Sequence, residues 1–190
     1  RSTLDRSSAA SDVYKRQMII YRAHSLKYVV IFYFMFIIHA SANTLDHGLL
    51  IGSTAPPVSL ESLSGGGYVH SRDILKEQPM VLVFFSSAND LSLKMVSDLH
   101  QIKAGMKNTD IQYYLVNVFE DQDYLKSFVT DQVYTIPVIM DRYGTALKMF
   151  RSDHVPITVV INRGGKVSYY KQGYDDDEIL NLIVHLRSIK

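Results

Sequence analysis

The sequence of 190 residues contains no cysteine and no tryptophan. Without a thiol, these residues can neither form a disulfide nor supply the thiolate that disulfide exchange and thiol catalysis require. A stretch of about 140 residues can bury enough surface to be stable without disulfide bonds. The hydrophobic share of 47% and the charged share of 21% indicate one globular domain with an additional segment at one end.

A strong excess of positive charge is also missing. The chain has 20 basic and 19 acidic residues, and six of the basic and two of the acidic residues lie within residues 1–42. The remaining 14 basic and 17 acidic residues give the rest of the chain a net charge of −3. Because nucleic-acid-binding domains carry clustered positive charge, we expect no nucleic-acid partner.

Two segments at the start are excluded from the fold. Residues 1–17 resemble translated adapter sequence from DNA library preparation, through the run Asp-Val-Tyr-Lys-Arg-Gln at residues 12–17. We interpret them as a scar, with a natural disordered leader as the alternative. Residues 18–42 combine basic residues, an apolar run at residues 28–38 and small residues ending at Ala42, which is typical of a signal peptide.

The predicted signal peptide indicates an exported protein. Its apolar run of 11 residues is shorter than the roughly 20 that a membrane span needs, so we expect cleavage after Ala42 and a periplasmic location. An uncleaved inner-membrane anchor facing the periplasm is the alternative, and only that segment would contact a membrane. Residues 43–51 are predicted to be a linker and residues 52–190 to be the domain.

The predicted domain alternates strands and helices. Strands are predicted where β-branched and aromatic residues form continuous runs, and helices where apolar residues recur at steps of three and four. The first long helix has Leu91, Met95, Leu99, Ile102 and Met106 at this spacing. The predicted order is a hairpin at 58–71, a strand at 80–85, a helix at 91–106, a strand at 111–118, a helix at 121–132, a strand at 136–140, a short helix at 146–149, a hairpin at 157–170 and a last helix at 175–190.

The order of these elements predicts an α/β fold with a mixed central sheet flanked by helices and an N-terminal β-hairpin extension. The last helix begins with acids and ends with bases, as the helix dipole favours. Its predicted buried face consists of Ile179, Leu180, Ile183 and Leu186.

Three local motifs occur in a fixed order along this domain. They are Gly-x-x-Ala-Pro at residues 52–56, the strand 82–85 followed by Ser-Ser-Ala, and Val-Pro-Ile-Thr at residues 155–158 followed by a strand and a glycine turn. Together they resemble the TlpA-like, or redoxin, branch of the thioredoxin superfamily, which contains exported thiol-disulfide oxidoreductases. The resemblance covers residues 52–190 and implies a thioredoxin-like fold with a cis peptide bond before Pro156.

The sequence departs from this family at the reaction centre. Where the relatives have Cys-x-x-Cys, it has Asn89, Asp90, Leu91 and Ser92, which we call the tip. No catalytic residue is assigned, since no thiol is present. One interpretation is structural, because asparagine caps the N–H groups at a helix start and stabilises it by about 1 kcal/mol. The other is that the tip is a polar surface for a partner.

The loop at Pro156 supplies the second half of the candidate site. In the relatives this loop lies against the tip, and the residue before the proline, here Val155, pairs its backbone with an extended peptide. The resemblance therefore implies a partner-binding surface made of residues 89–92 with Val155 and Pro156. The alternative is that the fold alone requires the turn at Pro156.

Other chemistry has little support in the residues. The seven histidines include no His-x-x-His pair, and the acids Glu120, Asp121, Asp123 and residues 175–178 precede predicted helices, where carboxylates cap rather than bind calcium. The serines near the tip lack the motif of a serine nucleophile. We therefore expect neither a metal site nor a cofactor.

These observations favour an exported, redox-inactive protein that binds a polypeptide or partner protein at the tip and the Pro156 loop. Two alternatives stay open. One is an enzyme of the thiol-disulfide oxidoreductase family that uses a cysteine from a partner or unrelated chemistry. The other is a purely structural accessory domain whose contacts lie elsewhere.

Overall fold

The structure, a computed structural model, describes residues 48–106 and 110–189, within the compact unit His47–Lys190. The strands of this part are β1 (Ser59–Ser62), β2 (Tyr68–His70), β3 (Met80–Phe85), β4 (Gln112–Val118), β5 (Val138–Asp141), β6 (Ile157–Ile161) and β7 (Val167–Gln172). The helices are α1 (Ser71–Ile74), α2 (Asp90–Gly105), α3 (Gln122–Asp131), α4 (Thr145–Met149) and α5 (Asp176–Ser188). The predicted adapter scar, the signal peptide and linker residues 43–47 lie outside the described residues.

The seven strands form one mixed sheet in the order β2-β1-β5-β4-β3-β6-β7. Strands β3, β4 and β5 are parallel, with Val83 opposite Leu115 and Leu115 opposite Val138. Strands β1 and β6 run antiparallel to their neighbours β5 and β3. An antiparallel strand pair, β1–β2 or β6–β7, forms each lateral side of the sheet. The predicted mixed sheet with an N-terminal hairpin is therefore confirmed.

The sheet has a hydrophobic core on each face, and its central strand β3 is apolar at every position. In β3 all six residues are buried, and the odd-numbered side chains join one cluster while the even-numbered ones join the other. Helices α2, α3 and α5 cover the first cluster, and α1 and α4 lie on the side of the second. This layering confirms the predicted sheet between helices.

Two details of the predicted helix faces are wrong. Leu180 is 64% exposed, and the buried residues of α5 are Leu182 and Leu186. At 100° per residue, Leu180 lies about 100° from Ile179, away from the stripe that Ile179, Leu182 and Leu186 share. Leu91 is likewise 51% exposed, so the first buried apolar residue of α2 is Met95.

No helix in residues 48–106 and 110–189 is long and apolar enough to cross a membrane.

Candidate partner-binding site

The two halves of the predicted site lie at the edge of the sheet where the parallel strands have their carboxyl ends. The parallel strands β3, β4 and β5 all end at this edge, and the antiparallel β6 begins there. The segments at this edge are residues 86–92, which include the first turn of α2, and the loops 119–121, 142–144 and 151–156; we call these four segments together the tip edge. The carboxyl edge of parallel strands is where α/β folds commonly bind ligands.

The two positions that would carry thiols in the relatives have different roles. Asn89 is the N-cap of α2, and its Oδ1 accepts a hydrogen bond of 2.8 Å from the Ser92 N–H. The side chain of Ser92 is fully buried, and its Oγ has no hydrogen-bond partner among the described residues. The predicted helix cap at Asn89 is thus confirmed, and it accounts for one of the two polar replacements.

Asp90 and Leu91 are the accessible members of the tip. Asp90 is exposed in the first turn of α2, and Leu91 presents half of its surface to solvent. Leu91 therefore contributes little buried apolar surface to the fold, and Asp90 has no side-chain hydrogen bond or ion pair among the described residues. The tip therefore offers both apolar and acidic surface.

The loop that leads to the tip is tethered by one carboxylate. Glu120 Oε1 accepts hydrogen bonds of 2.6 Å from both Ser86 Oγ and the Ser87 N–H. Its Oε2 accepts a bond of 2.9 Å from Nδ2 of the buried Asn117. One side chain after β4 thus fixes the loop after β3, and Ser87 Oγ also donates to the hydroxyl of Tyr124 in α3 at 3.2 Å.

The predicted capping role of the acids is right for Asp121 and wrong for Glu120. Asp121 Oδ1 accepts from the N–H groups of Asp123 and Tyr124 at 2.9 and 3.3 Å, and these two bonds hold the pKa of Asp121 below its usual value. Glu120 instead reaches back to residues more than 30 positions earlier. Asp175 caps α5 by accepting from the Asp177 N–H at 3.0 Å, as predicted for that run.

The Pro156 loop presents free backbone groups at the tip edge. The Val155–Pro156 peptide bond is cis, and Pro156 is buried while Val155 is half-buried. The Pro156 carbonyl accepts from the Gly173 N–H at 2.8 Å. Among the described residues, neither the N–H nor the C=O of Val155 has a hydrogen bond. Both groups can therefore pair with another chain.

A polar cluster behind this loop joins α2 to the start of α5. The hydroxyl of Tyr174 donates a hydrogen bond of 2.6 Å to Asp98 Oδ2. This bond, followed by desolvation of the hydroxyl and its second hydrogen bond to Asp176, raises the pKa of Tyr174 well above its usual value. Lys94 Nζ binds Asp176 Oδ1 at 2.8 Å and lies 4.5 Å from the centre of the Tyr174 ring. This bond is the main reason that the pKa of Asp176 is lowered. The cluster fixes the segment beside Gly173.

A further feature of the tip edge is the exposed aromatic residue Phe119. It follows β4 directly, has a φ angle of +67°, and is 61% exposed. Its ring lies over Gly144, where an added Cβ would be only 2.3 Å from Phe119 Cζ. Sequence reasoning missed this residue and the tether at Glu120. The available signal was the position of Phe119 and Glu120 directly after a buried strand.

No group of three or more histidine, aspartate or glutamate side chains in the described part of the chain could hold a metal ion.

The geometry agrees with comparisons to known proteins. The sequence profile of the AhpC/TSA family matches residues 51–170. The chain belongs to the AhpC/TSA family. It is 23% identical over 176 residues to the thiol-disulfide oxidoreductase ResA of Geobacillus kaustophilus. The alignment covers 93% of this chain and 98% of the relative.

Solved structures of other proteins have a similar fold. One is the thioredoxin domain of a thiol-disulfide oxidoreductase from Bacteroides vulgatus, with a TM-score of 0.62, 16% identity, and coverage of 73% of this chain and 98% of that one. Another is a thioredoxin family thiol:disulfide interchange protein from Chlorobium tepidum, with a TM-score of 0.59, 19% identity, and coverage of 73% and 97%. These structural similarities confirm the predicted thioredoxin-like fold. The predicted resemblance to the redoxin family is confirmed by the profile match over residues 51–170.

Proposed function

We propose that this protein is an exported, redox-inactive member of its family that binds an extended polypeptide, or an extended segment of a partner protein, at the tip and the Pro156 loop. The binding residues are Asn89, Asp90, Leu91 and Ser92 in the tip, with Val155 and Pro156 opposite them at the same edge of the sheet. No residue is assigned a catalytic role, and no metal or cofactor takes part.

Redox inactivity rests on the residues at the two thiol positions. Asn89 uses its side chain to cap α2, and the hydroxyl of Ser92 is enclosed in the protein. Neither group can exchange disulfides, and the 190 residues contain no cysteine elsewhere. The helix cap at Asn89 and the tether at Glu120 nevertheless give the surface around these positions a defined shape.

The observation that carries the binding proposal is the unpaired backbone of Val155. An extended peptide binds a protein by forming main-chain hydrogen bonds, while neighbouring side chains supply specificity. Val155 offers one N–H and one C=O for such a pairing, and Leu91, half exposed at the same edge, offers apolar contact. These two features correspond to the two parts of a peptide-binding groove.

The experiment that tests this site is a pull-down from an extract of exported proteins with the full chain as bait. We expect a specific partner to bind the unaltered protein and to be lost with the double variant L91D/V155D, because new charges oppose apolar contact and strand pairing. The matched control is L180D/V184D, which places two aspartates on the exposed face of α5, where Leu180 and Val184 are 64% and 68% exposed. The same set of captured proteins with all three baits would contradict the site.

Redox inactivity has a separate test in the reduction of insulin disulfides. We expect the purified chain to give no turnover above the rate with reductant alone, since it has no thiolate to attack a disulfide. Thiol-dependent turnover by the purified protein would disprove this part of the proposal and favour the enzyme alternative.

Export rests on the pattern of residues 18–42. We expect the protein isolated from its native source to begin at Asn43, which intact-mass measurement of the purified protein can check. A mass that includes residues 18–42 would favour the anchored alternative.

A further inference from the structure

We propose that the exposed face of α5 is a self-association surface, through which two copies of this chain pair their α5 helices antiparallel and form a reversible dimer. The contact residues form a line along the helix, which we call the α5 stripe. It consists of Asp177, Leu180, Val184 and Arg187. This inference goes beyond the proposed function, because none of the six residues of the proposed binding site lies on α5.

The centre of the stripe is apolar and open to solvent. Leu180 is 64% exposed and Val184 is 68% exposed. They are four residues apart, so they are neighbours on the helix surface. Of the described helices, only α5 has two large aliphatic side chains exposed one turn apart. Single exposed apolar residues are ordinary on protein surfaces, but this pair offers a continuous area that a second helix can bury.

The spacing of the stripe is that of a helix-pairing seam. Its members follow one another at steps of three, four and three residues, which is the a and d pattern of paired helices. At 100° per residue they fall within about 80° of the helix circumference. All four side chains are exposed in the structure. The apolar members therefore lie at the centre of the seam, with an acid at one end and a base at the other.

The charges at the two ends select an antiparallel partner. A twofold axis at the midpoint of the stripe places Leu180 against Val184 of the second copy, and symmetry repeats that contact. The same axis places Asp177 against Arg187 of the second copy, which gives two ion pairs per dimer. Parallel pairing would put like charges together at both ends and would oppose association. A second copy lying antiparallel is therefore the partner that complements the stripe.

The two charged members have no partner within the described part of the molecule. Neither the Asp177 carboxylate nor the Arg187 guanidinium makes a hydrogen bond or an ion pair with a described residue. The helix supplies none, because every residue three or four positions from them toward the helix centre is uncharged. The adjacent Asp176, by contrast, is bound by Lys94 and Tyr174. Asp177 and Arg187 are thus available for pairing with a second copy.

A groove beside the stripe adds apolar surface. It lies between α2 and α5, has a volume of about 210 Å³, and its lining includes Ile102, Met106, Ile179, Ile183 and Arg187. The 13 residues of α5 extend over about 20 Å, so the seam is smaller than the roughly 800 Å² per partner of a standard stable interface. We therefore expect a reversible dimer with a Kd of the order of 10–100 µM.

Sedimentation equilibrium of the full chain tests the pairing. Residues 1–47 are present in every sample, so any association through them is common to all variants. We expect the unaltered protein to dimerise between about 10 and 500 µM. The variants D177K and R187E should each weaken the dimer about tenfold or more, because each brings like charges together at both ends of the seam.

Exchanging the charges tests the antiparallel register. The double variant D177K/R187E should dimerise about as tightly as the unaltered protein, because both ion pairs form again with their signs reversed. An equimolar mixture of the two single variants should also regain the dimer, since one copy of each restores both pairs. A double variant that associates as weakly as the single variants would overturn the inference.

The matched control is D123K. Asp123 in α3 and Asp177 in α5 are both exposed acids of a first helical turn, and each has its N–H bound by the aspartate that caps its helix. D123K and D177K should therefore lower the thermal midpoint by the same small amount, because both remove an acid from a helix start. Only D177K should weaken the dimer. Equal weakening by both variants would contradict the stripe.

The inference and the proposed function fail separately. L180D/V184D should be monomeric and still capture the partner of the tip, since each copy carries a complete tip. A dimer that persists in L180D/V184D, or an unaltered protein that stays monomeric up to about 500 µM, would overturn the self-association surface and leave the proposed function standing.

Discussion

Helices α2 and α5 begin in the same way, but their first turns have different surroundings. Each has a polar N-cap, Asn89 or Asp175, whose side chain accepts a backbone N–H. In α5 the next residue, Asp176, is bound by Lys94 and Tyr174, so its first turn is joined to α2. In α2 the next residue, Asp90, has no side-chain hydrogen bond or ion pair among the described residues.

The comparison shows that helix capping explains the stability of these helix starts but not their contacts with the rest of the molecule. The cap stabilises both helices by satisfying N–H groups that lack partners within the helix. It does not explain why one first turn is tied into the molecule while the other displays a carboxylate and a leucine. The accessible start of α2 is the one that the proposed function assigns to a partner, and four predictions test the contrast between the two helices.

The largest expected effect is at the tether of the α2 loop. Replacing Glu120 with alanine should lower the free energy of unfolding by about 2–3 kcal/mol, because three donors lose their acceptor and one of them, Asn117 Nδ2, belongs to a buried side chain. Urea denaturation measures the change. The control at α5 is E178A, which removes a bond of 3.0 Å from Tyr169 and should cost about 1 kcal/mol. Equal losses in the two variants would contradict the tether.

The next prediction compares the caps as sites for a thiol. A cysteine introduced as N89C should have a pKa about one unit or more below the usual 8.5, because helix N–H groups favour the thiolate. In D175C the effect should be smaller, since Asp176, Asp177 and Glu178 follow directly and oppose a further negative charge. The pH profile of iodoacetamide alkylation gives both values. A lower pKa at residue 175 than at residue 89 would reverse the contrast.

A smaller effect is expected inside the tip. The buried Ser92 Oγ has no partner among the described residues, so S92A should raise the free energy of unfolding by about 1 kcal/mol. The control is S71A, because Ser71 is equally buried but its Oγ accepts from the Val58 N–H at 2.9 Å. That variant should lose stability. A loss in S92A would indicate that the hydroxyl has a structural bond.

The smallest expected effect concerns acid stability at α5. Lys94 lowers the pKa of Asp176 in the folded protein, so this carboxylate contributes stability above its usual value of 3.8 and loses that contribution as the pH falls below it. D176N and K94Q should each make the thermal midpoint fall less steeply between about pH 4 and pH 2. An unchanged slope in both variants would show that the ion pair does not contribute in solution.

The sheet and helices could be predicted because their signals are local. β3 reads as a continuous apolar run, and the spacing of Met95, Leu99 and Ile102 marks the buried face of α2. The cap at Asn89 follows from residue type at a helix start. Leu180 and Leu91 were misplaced because a leucine at roughly the right spacing can lie beside the buried stripe rather than on it.

The rest of the candidate site depends on contacts between distant parts of the chain. Glu120 binds residues 33 and 34 positions earlier, and no local pattern distinguishes such an acid from a cap. The exposure of Phe119 depends on a positive φ and on a glycine 25 positions later. Val155 and the tip lie at one edge only because β6 pairs antiparallel with β3.

The complete burial of β3 bears on how fast a partner would bind at the neighbouring tip. All six of its side chains are 0% exposed, and hydrogen bonds on both sides hold it at the centre of the sheet. Its amide hydrogens should exchange with solvent only through global unfolding. The loop to the tip starts directly after Phe85, so under the proposed function a polypeptide would meet a surface that continues an ordered strand. We then expect its association rate to depend on diffusion and charge, without a folding step.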